Sequence, residues 1–514
     1  MHSAVLRSLA TVPILCTLAS AGHISLGIQR TRGLDKRALS PRDAGSIGVE
    51  LVESADESLY AISLSVGTPP QPFDLQLDTG SSDLWVPWAG AQACIDQGGC
   101  PGGDFQYNES STFQVLFNNF SIQYGDGTGD TGDYFTDTVQ LGNTTVQNFT
   151  MGLALDTTNG AHLNNTGQGL LGVSYPTNEA GYHEAGFETL TIYEQMVSQG
   201  LIARSAYSLY LDDMEVGKGT ILFGGVDPSK YKGDLTVLPL QPDPATTFVD
   251  AFYVSLTDVS YDEGSDKTSL FAPGYTGCAV LLDSGTTRSY IPAEAFNNLV
   301  QGLGGYVDGT GDYYVPCDMP AGNATISFQF GGSEGIEMAI PLSTFISPDA
   351  SSQLADGTNL CILALQAAST PYDIILGDSF LRSFYVVYDV ANDQVAIATA
   401  ALNATATGSV TAIPSGTSIP GASSTANLAV PTIANISTWT PTTTAIATAS
   451  LAATFTDLPS VTAAATGATT GGASTSASAS GTSSGTSSGA ADVTAHGSGL
   501  VVVFFMAVSA LFLF

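Results

Sequence analysis

Short runs in which apolar residues alternate with small polar ones recur between residues 58 and 400, each bounded by Gly, Pro, Asn or Asp. A period of two is typical of a half-buried β-strand. The pattern predicts a strand at residues 60–66, a turn at 67–70, and a second strand at 73–77 that runs directly into Asp78. The hydrophobic pattern therefore predicts a mainly β fold.

The pattern at the end of this second strand occurs again later in the chain. Asp78 is followed by Thr-Gly and Asp283 by Ser-Gly, each after an apolar run, and 205 residues separate the two aspartates. The same offset relates two further pairs of segments, 85–87 with 290–292 and 170–172 with 375–377. Three matched elements at one offset indicate an internal duplication with one unusual aspartate in each half.

The duplication predicts two similar lobes. Helical periodicity is clearest at residues 189–200 and 292–303, so we expect few helices. Three prolines cluster at positions 239, 242 and 244, where a change of lobe is expected. We therefore expect an N-terminal lobe at 58–238 and a C-terminal lobe at 239–400.

The two aspartates can form one site. If the halves pack about a pseudo-two-fold axis, Asp78 and Asp283 meet at that axis. Gly80 and Gly285, two residues further on, allow the backbone to approach closely at each turn. The duplicated turns are thus suited to bring two carboxyl groups into contact.

The chemistry of such a pair is acid–base catalysis. The hydroxyl groups of Ser81 and Thr286 can each donate a hydrogen bond to the neighbouring carboxylate. Two carboxylates in contact do not both ionise readily, so they share a proton. One then acts as a base that activates water, and the other as an acid toward the attacked carbonyl oxygen. The pattern predicts direct amide hydrolysis without a covalent intermediate.

These motifs resemble those of the pepsin-like aspartic proteases over about residues 58–400. The resemblance implies a bilobal pepsin-like acid protease fold with pseudo-two-fold symmetry, a peptide-binding cleft between the lobes, and aspartic-type endopeptidase activity. It rests on the segments Asp78-Thr-Gly-Ser-Ser-Asp-Leu-Trp-Val-Pro, Tyr124-Gly-Asp-Gly-Thr, Phe223-Gly-Gly-Val-Asp, Asp283-Ser-Gly-Thr-Thr, Ile375-Leu-Gly-Asp-Ser-Phe-Leu-Arg and Tyr385-Val-Val-Tyr-Asp.

The resemblance also implies roles for residues around the aspartates. Tyr124 would lie on a flap hairpin over the cleft, with its hydroxyl group held by Trp85. Thr79 and Ser284 would make crossed hydrogen bonds that lock the two turns together. Asp126 follows the flap tyrosine by two residues, and an acidic side chain there can pair with a substrate Lys or Arg. We expect a preference for basic residues next to the scissile bond; the alternative is an aspartate that only suits turn geometry.

The charge of the chain limits its partners. The formal net charge is −34, and only thirteen residues are Lys or Arg, of which six precede residue 43. Nucleic acids are bound through Lys and Arg, so we expect no nucleic-acid partner. Carboxylates that repel each other near neutral pH lose this repulsion in acid. The composition therefore predicts greatest stability and activity at acid pH.

The first residues have the features of a leader. A basic residue, a short apolar run and the small residues at 19–21 predict a secretory signal peptide at 1–21. Lys36 and Arg37 form a dibasic pair, which predicts a propeptide at 22–37 with cleavage after Arg37. The alternative is that these are two ordinary surface charges.

The composition changes at the end of the globular region. Residues 401–489 consist mainly of Ala, Ser, Thr and Gly, which cannot offset the entropy of ordering; this predicts an unfolded, O-glycosylated stalk. Gly489, a polar spacer and an apolar end predict a GPI-attachment signal at 490–514, with Ser488 as the second candidate site. The alternative is a tail-anchored helix. With the leader, these features resemble fungal GPI-anchored aspartic proteases such as the yapsins.

Cysteines and sequons agree with secretion, which makes disulfides the default. Cys94 and Cys100 flank five residues of a Gly-rich loop and are expected to pair; Cys317 and Cys361 can close a second loop. Cys278 is left as a buried free thiol. Eight asparagines stand in N-glycosylation sequons, namely Asn108, Asn119, Asn143, Asn148, Asn164, Asn323, Asn403 and Asn435.

The histidines have no metal-ligand spacing, and no phosphate-binding loop is present, so we expect neither metal nor cofactor. The sequence predicts a monomeric, secreted aspartic-type endopeptidase that cleaves peptides and proteins at acid pH. We expect a GPI anchor to hold it at the outer face of the plasma membrane or in the cell wall. The alternative is a catalytically inactive relative that binds peptides or the cell wall.

Overall fold

The computed structural model describes twelve segments of the chain. The predicted sites Asp126, Asn164, Asn435, Ser488 and Gly489 lie outside them, as do the predicted signal peptide and GPI signal. The described residues are 24–31, 59–125, 127–158, 168–181, 189–212, 218–264, 266–307, 312–317, 322–332, 335–354, 357–404 and 410–425.

The first half of the fold is built almost entirely of strands, as the period-two pattern predicts. The predicted strands at 60–66 and 73–77 are confirmed as β2 and β3. The strands of this half are β1 (Ile24–Thr31), β2 (Leu59–Val66), β3 (Gln71–Asp78), β4 (Leu84–Pro87), β5 (Gln114–Gln123), β6 (Gly129–Leu141), β7 (Thr144–Thr158), β8 (Leu170–Gly172), β9 (Ala206–Tyr210), β10 (Lys218–Phe223), β11 (Gly225–Val226) and β12 (Tyr231–Pro239).

The second half is also mainly β, so the expected fold class is confirmed. Its strands are β13 (Tyr253–Glu263), β14 (Asp266–Ser269), β15 (Cys278–Leu282), β16 (Ser289–Ile291), β17 (Tyr306–Val307), β18 (Tyr313–Pro316), β19 (Thr325–Phe330), β20 (Ile336–Pro341), β21 (Ile346–Gln353), β22 (Asn359–Leu363), β23 (Leu365–Ala367), β24 (Ile375–Leu376), β25 (Phe384–Asp389) and β26 (Gln394–Ala400). Two more, β27 (Thr411–Ala412) and β28 (Ala422–Thr425), follow the expected end of the C-terminal lobe.

Helices are short and few in the described residues: α1 (Gln92–Gln97), α2 (Ile192–Ser198), α3 (Ala293–Leu303) and α4 (Asp378–Leu381), with single 3₁₀ turns at Tyr107–Glu109, Pro176–Asn178, Leu342–Phe345 and Val390–Asn392. The two predicted helices are confirmed as α2 and α3. A capping box begins α2, because Thr191 and Glu194 satisfy each other's backbone N–H groups. None of the described helices is long and apolar enough to cross a membrane.

One large sheet joins the two halves. Its strand order is β28-β12-β26-β25-β9-β10-β1-β2-β3-β8-β4-β7-β6-β5. Strands β25 and β26 come from the second half, yet they pair with β9 and β12 of the first. Strand β1, from the expected propeptide, pairs with both β2 and β10. A sheet of eight strands and one of four complete the second half.

The two aspartates end equivalent strands. In the first half β3 runs parallel to β8, and Asp78 pairs with Gly172. In the second half β15 runs parallel to β24, and the backbone N–H of Asp283 donates to the carbonyl of Leu376 at 3.1 Å. The apolar-apolar-Gly segment that the duplication identified is therefore, in each half, the strand that supports the strand bearing the aspartate.

The folded body extends past residue 400, where composition predicted an unfolded stalk. Within residues 410–425, β28 pairs with β12 of the large sheet, and β27 pairs with β11 in a separate two-stranded sheet. The side chains of Ile413 and Ile419 are buried against the large sheet. The guanidinium of Arg204, which is ion-paired with Asp389 at 3.3 Å, donates to the carbonyls of Gly416 and Ser418. The prediction of an unfolded stalk from residue 401 was wrong for this segment. Its contacts are made by two isoleucines and by backbone carbonyls, which amino-acid composition does not reveal.

Candidate active site

Asp78 and Asp283 lie at the junction of the two halves, and both are buried, with 6% and 7% of their surface exposed. Each carboxyl group is held by its own turn. The backbone N–H of Gly80 donates to Asp78 Oδ1 at 2.7 Å, and that of Gly285 donates to Asp283 Oδ1 at 2.8 Å. The two turns thus present their aspartates in the same way.

The second oxygen of each carboxyl group accepts a hydroxyl hydrogen bond. Ser81 donates to Asp78 Oδ2, and Thr286 Oγ1 donates to Asp283 Oδ2 at 2.6 Å. These are the donors that the sequence predicts at these positions. With one amide and one hydroxyl donor each, both carboxyl groups are fixed in orientation.

Crossed hydrogen bonds lock the turns to each other, as the resemblance implies for Thr79 and Ser284. The backbone N–H of Ser284 donates to Thr79 Oγ1 at 2.9 Å, and the N–H of Thr79 donates to Ser284 Oγ at 3.2 Å. Each hydroxyl in turn donates across the interface at 3.0 Å, to the carbonyl of Leu282 or of Leu77. The lock is buried and tightly constrains the distance between the aspartates.

The glycines of the two turns allow the carboxyl groups to meet. A Cβ atom on Gly80 would lie 2.7 Å from Asp283 Oδ1, and one on Gly285 would lie 2.3 Å from Asp78 Oδ1. Both distances are too short for a real side chain. Each glycine therefore makes room for the aspartate of the opposite half.

This close approach changes the ionisation of the pair. Burial and then the charge of Asp283 raise the pKa of Asp78 well above the usual range, and the hydrogen bond from Ser81 partly offsets this. Two carboxyl groups in such close contact do not both ionise readily. The geometry therefore favours a pair that shares one proton.

The hairpin of β5 and β6 carries Tyr124 near the aspartates. Trp85 Nε1 donates to the hydroxyl oxygen of Tyr124 at 2.7 Å, which is the contact that the resemblance implies. The hairpin turn is closed by the N–H of Tyr124 on the carbonyl of Thr128 at 2.8 Å. The bond from Trp85 thus fixes the position of the Tyr124 hydroxyl group on the hairpin.

Two amide side chains support the turns and were not predicted from the sequence. Asn178 Nδ2 donates to the carbonyl of Gly80 at 3.0 Å, and Gln76 Nε2 donates to the carbonyl of Gly285 at 3.3 Å. Asn178 lies in a single 3₁₀ turn that has no signature in the sequence. Gln76 does have a signature in the sequence. It is a polar residue between two leucines, and the equivalent position in the other half is a leucine, Leu281.

Three buried carboxyl groups surround the first turn. Burial raises the pKa of Asp83 and of Asp130 to about 7. Burial, then the charges of Asp83 and Glu194, raise the pKa of Glu179 to about 9. Neither carboxylate oxygen of Asp130 has a hydrogen-bond partner. All three groups are therefore neutral in the acid range.

The five cysteines within the described residues form two disulfides and one free thiol. Cys94 is bonded to Cys100, and Cys317 to Cys361. Burial raises the pKa of the free Cys278 thiol to about 12, so it is unreactive as a nucleophile.

All of the sequon asparagines within the described residues are exposed, which leaves them accessible to a glycan: Asn108, Asn119, Asn143, Asn148, Asn323 and Asn403. The same part of the chain contains no group of three or more His, Cys, Asp or Glu side chains arranged to hold a metal ion.

Comparison with known proteins agrees with this geometry. The model of the family described as "Eukaryotic aspartyl protease" matches residues 59–400. The protein named "Probable aspartic-type endopeptidase opsB" of Aspergillus fumigatus is 36% identical over 353 residues, which cover 68% of this chain and 70% of that protein. The aspartic proteinase yapsin-3 of Saccharomyces cerevisiae is 31% identical over 407 residues, or 77% of each chain.

A solved structure shares the fold. The crystal structure of an aspartic proteinase from Irpex lacteus aligns with a TM-score of 0.53 at 25% sequence identity. The alignment covers 68% of this chain and 96% of that one. The bilobal fold that the duplication predicts is thereby confirmed.

Proposed function

The chain belongs to the eukaryotic aspartyl protease family, and from this premise we propose that it is an acid endopeptidase that is secreted and held at the cell surface. Its substrates are peptides and proteins, bound across the junction of the two lobes. The observation that carries the proposal is the pair of locked turns, which hold Asp78 and Asp283 with matching amide and hydroxyl donors.

The pair cleaves an amide bond by activating water. The ionised carboxylate takes a proton from a water molecule held between the aspartates, and the water oxygen bonds to the carbonyl carbon of the substrate. The protonated carboxyl group donates its proton to the carbonyl oxygen. The carboxyl group that took the proton from water then donates it to the leaving nitrogen, and the C–N bond breaks. The other carboxylate regains a proton from a hydroxyl group of the intermediate as the product carboxyl group forms, so the pair returns to its starting state. No covalent enzyme intermediate forms.

Hydrolysis of casein at acid pH, with and without pepstatin, tests the activity after the propeptide has been removed. We expect hydrolysis that pepstatin abolishes. A processed, folded protein without pepstatin-sensitive hydrolysis would instead support the catalytically inactive, peptide- or wall-binding alternative.

Attachment to the cell surface is the second part of the proposal. The sequence supports it with a predicted signal peptide at 1–21, a predicted propeptide at 22–37, the Ser/Thr-rich segment that follows the folded body and a predicted GPI signal at 490–514. Phosphatidylinositol-specific phospholipase C should release the protein from membranes or intact cells. Replacement of Ser488 and Gly489 together by bulky residues should send the protein to the medium. Resistance to the lipase in a membrane-bound form would favour the tail-anchored helix.

The sequon asparagines are proposed glycan carriers, because the described ones are exposed. Digestion with an endoglycosidase should lower the apparent mass of the secreted protein, and peptide mass spectrometry should identify which sites are occupied. An unchanged mass would contradict the proposal.

Asp126 is the proposed source of a preference for basic residues at the cleavage site. It stands two residues after Tyr124 in the flap hairpin, and a carboxylate there can pair with a substrate Lys or Arg. Asp126→Thr should reduce cleavage next to Lys and Arg in a peptide library and leave cleavage next to apolar residues intact. Asp133→Thr, on strand β6 of the same hairpin, is the matched control. An unchanged preference in Asp126→Thr would leave only the turn-geometry role.

A further inference from the structure

Gln76 reaches from the first half to the catalytic turn of the second. It lies two residues before Asp78 in β3, and only 4% of its surface is exposed. Its backbone N–H donates to the carbonyl of Gly169 at 3.0 Å, which fixes the strand at this point. Its side-chain Nε2 donates to the carbonyl of Gly285 at 3.3 Å. The bond joins the two halves next to the aspartates.

The carbonyl that Gln76 holds lies between the two donors to Asp283. The N–H of Gly285 donates to Asp283 Oδ1 at 2.8 Å, and the hydroxyl of Thr286 donates to Oδ2 at 2.6 Å. The carbonyl of Gly285 belongs to the peptide group that links these residues. A rotation of that peptide group would therefore displace the hydroxyl donor relative to the amide donor.

The two halves solve this problem differently. The equivalent carbonyl, that of Gly80, accepts a hydrogen bond from Asn178 Nδ2 at 3.0 Å, within its own half. At the offset of 205 residues, the counterpart of Gln76 is Leu281, which has no side-chain hydrogen-bond donor. The backbone N–H and hydroxyl groups that donate to the aspartates are equivalent in the two halves. The side chains that donate to the turn carbonyls, Gln76 and Asn178, are not equivalent.

From this geometry we propose that Gln76 is a positioning residue for the Asp283 turn. The inference rests on the proposed endopeptidase activity and adds a residue to it. Loss of the bond leaves a half-buried carbonyl with one donor fewer and frees the peptide group between the two donors of Asp283. A misplaced reacting group lowers the rate of the chemical step more than it weakens substrate binding.

Two variants test the proposal. Gln76→Leu introduces the residue type found at the equivalent position of the other half, and its side chain cannot donate a hydrogen bond to the carbonyl of Gly285. We expect kcat to fall by roughly 10-fold to 100-fold with little change in KM. Gln76→Glu can donate only while its new carboxyl group is protonated. We expect it to retain most of the wild-type kcat in acid and to lose it at a lower pH than the wild type does.

Gln366→Leu is the matched control, because Gln366 is also a buried glutamine on a strand, β23, and its Nε2 has no hydrogen-bond partner. Its kcat should equal that of the wild type. Thermal unfolding of all variants separates lost rate from lost fold.

The outcomes are distinct. A wild-type kcat in folded Gln76→Leu would overturn the inference, and so would a pH profile of Gln76→Glu that coincides with that of Gln76→Leu. If Gln76→Leu does not fold, the pH profile of Gln76→Glu is compared with that of the wild type, and a profile that coincides with the wild-type profile would overturn the inference. Absence of pepstatin-sensitive hydrolysis in the wild type would instead contradict the proposed function.

Discussion

The two turns that hold Asp78 and Asp283 have matching hydrogen bonds and different surroundings. Around the first turn, Asp83, Glu179 and Asp130 are buried carboxyl groups, and no Lys or Arg occurs in the sequence between Arg42 and Arg204. After the second turn, Arg288 is half-buried and ion-paired with Asp312 at 2.5 Å. The duplication therefore kept the machinery that holds the aspartates, while the charges around it diverged.

This difference separates two requirements for acid. The pair formed by Asp78 and Asp283, the dyad, needs one proton, which the two carboxyl groups share. The first half needs further protons, because burial favours the neutral form of Asp83, Asp130 and Glu179. We therefore expect activity to depend on pH through Asp78 and Asp283, and stability to depend on pH through the buried carboxyl groups around the first turn. Substitutions at the two sets of residues can distinguish these effects.

The largest expected effect comes from the feature in which the halves are equivalent. Asp78→Asn and Asp283→Asn each leave a pair that cannot supply both a base and an acid, so each should lower kcat/KM by at least about a thousand-fold. Because asparagine is nearly the same size, both variants should unfold at temperatures close to that of the wild type. Appreciable pepstatin-sensitive activity in either variant would break the equivalence.

A smaller effect should reveal where the halves differ. In the folded protein, burial raises the pKa of Glu179 to about 9, whereas the carboxyl group of an unfolded chain has a pKa near 4.5. The unfolded state therefore binds fewer protons between these values, and stability falls as pH rises, by up to about 1.4 kcal/mol per pH unit. Glu179→Gln should lose less stability than the wild type between pH 4 and pH 8.

Glu109→Gln is the control for this measurement, since Glu109 is exposed and the substitution keeps the sequon of Asn108. Urea unfolding at a series of pH values gives the free energy of unfolding for each protein. If Glu179→Gln and the wild type lose stability in parallel, the buried carboxyl group does not set the pH limit of the first half.

The smallest expected effect compares the two hydroxyl donors. Ser81→Ala and Thr286→Ala each remove one hydrogen bond to a carboxyl group, and each should lower kcat by roughly tenfold, the value of one bond to a charged group. The bond from Ser81 lowers the pKa of Asp78, so Ser81→Ala should also raise the upper apparent pKa of the pH–rate profile. A profile that shifts downward in this variant would contradict that direction.

The sequence predicted the parts of the site that depend on residue type at fixed spacing. The Asp turns, the hydroxyl donors and the two main helices follow from local pattern, and the duplication placed Asp78 beside Asp283. Gln76 and Asn178 escaped because their roles depend on which backbone carbonyl each side chain reaches across the fold. Their spacing along the chain carries no such information.

Other features depend on packing alone. Composition placed the end of the folded body at residue 400, but Ile413 and Ile419 are buried against the large sheet beyond it. The elevated pKa values of Asp83, Asp130 and Glu179 come first from burial, which a charge count cannot show. The charge pattern predicts a preference for acid, and the buried carboxyl groups favour the same direction because their neutral forms are the stable ones.

The pH dependence of kcat/KM tests the central claim, that Asp78 and Asp283 share one working proton, most directly. It should be measured on a peptide without ionisable side chains, with active enzyme titrated by pepstatin at each pH. The account predicts a bell-shaped profile, because the dyad lacks a base when both groups are protonated and an acid when both are ionised. A profile with one limb that keeps rising toward neutral pH would contradict it.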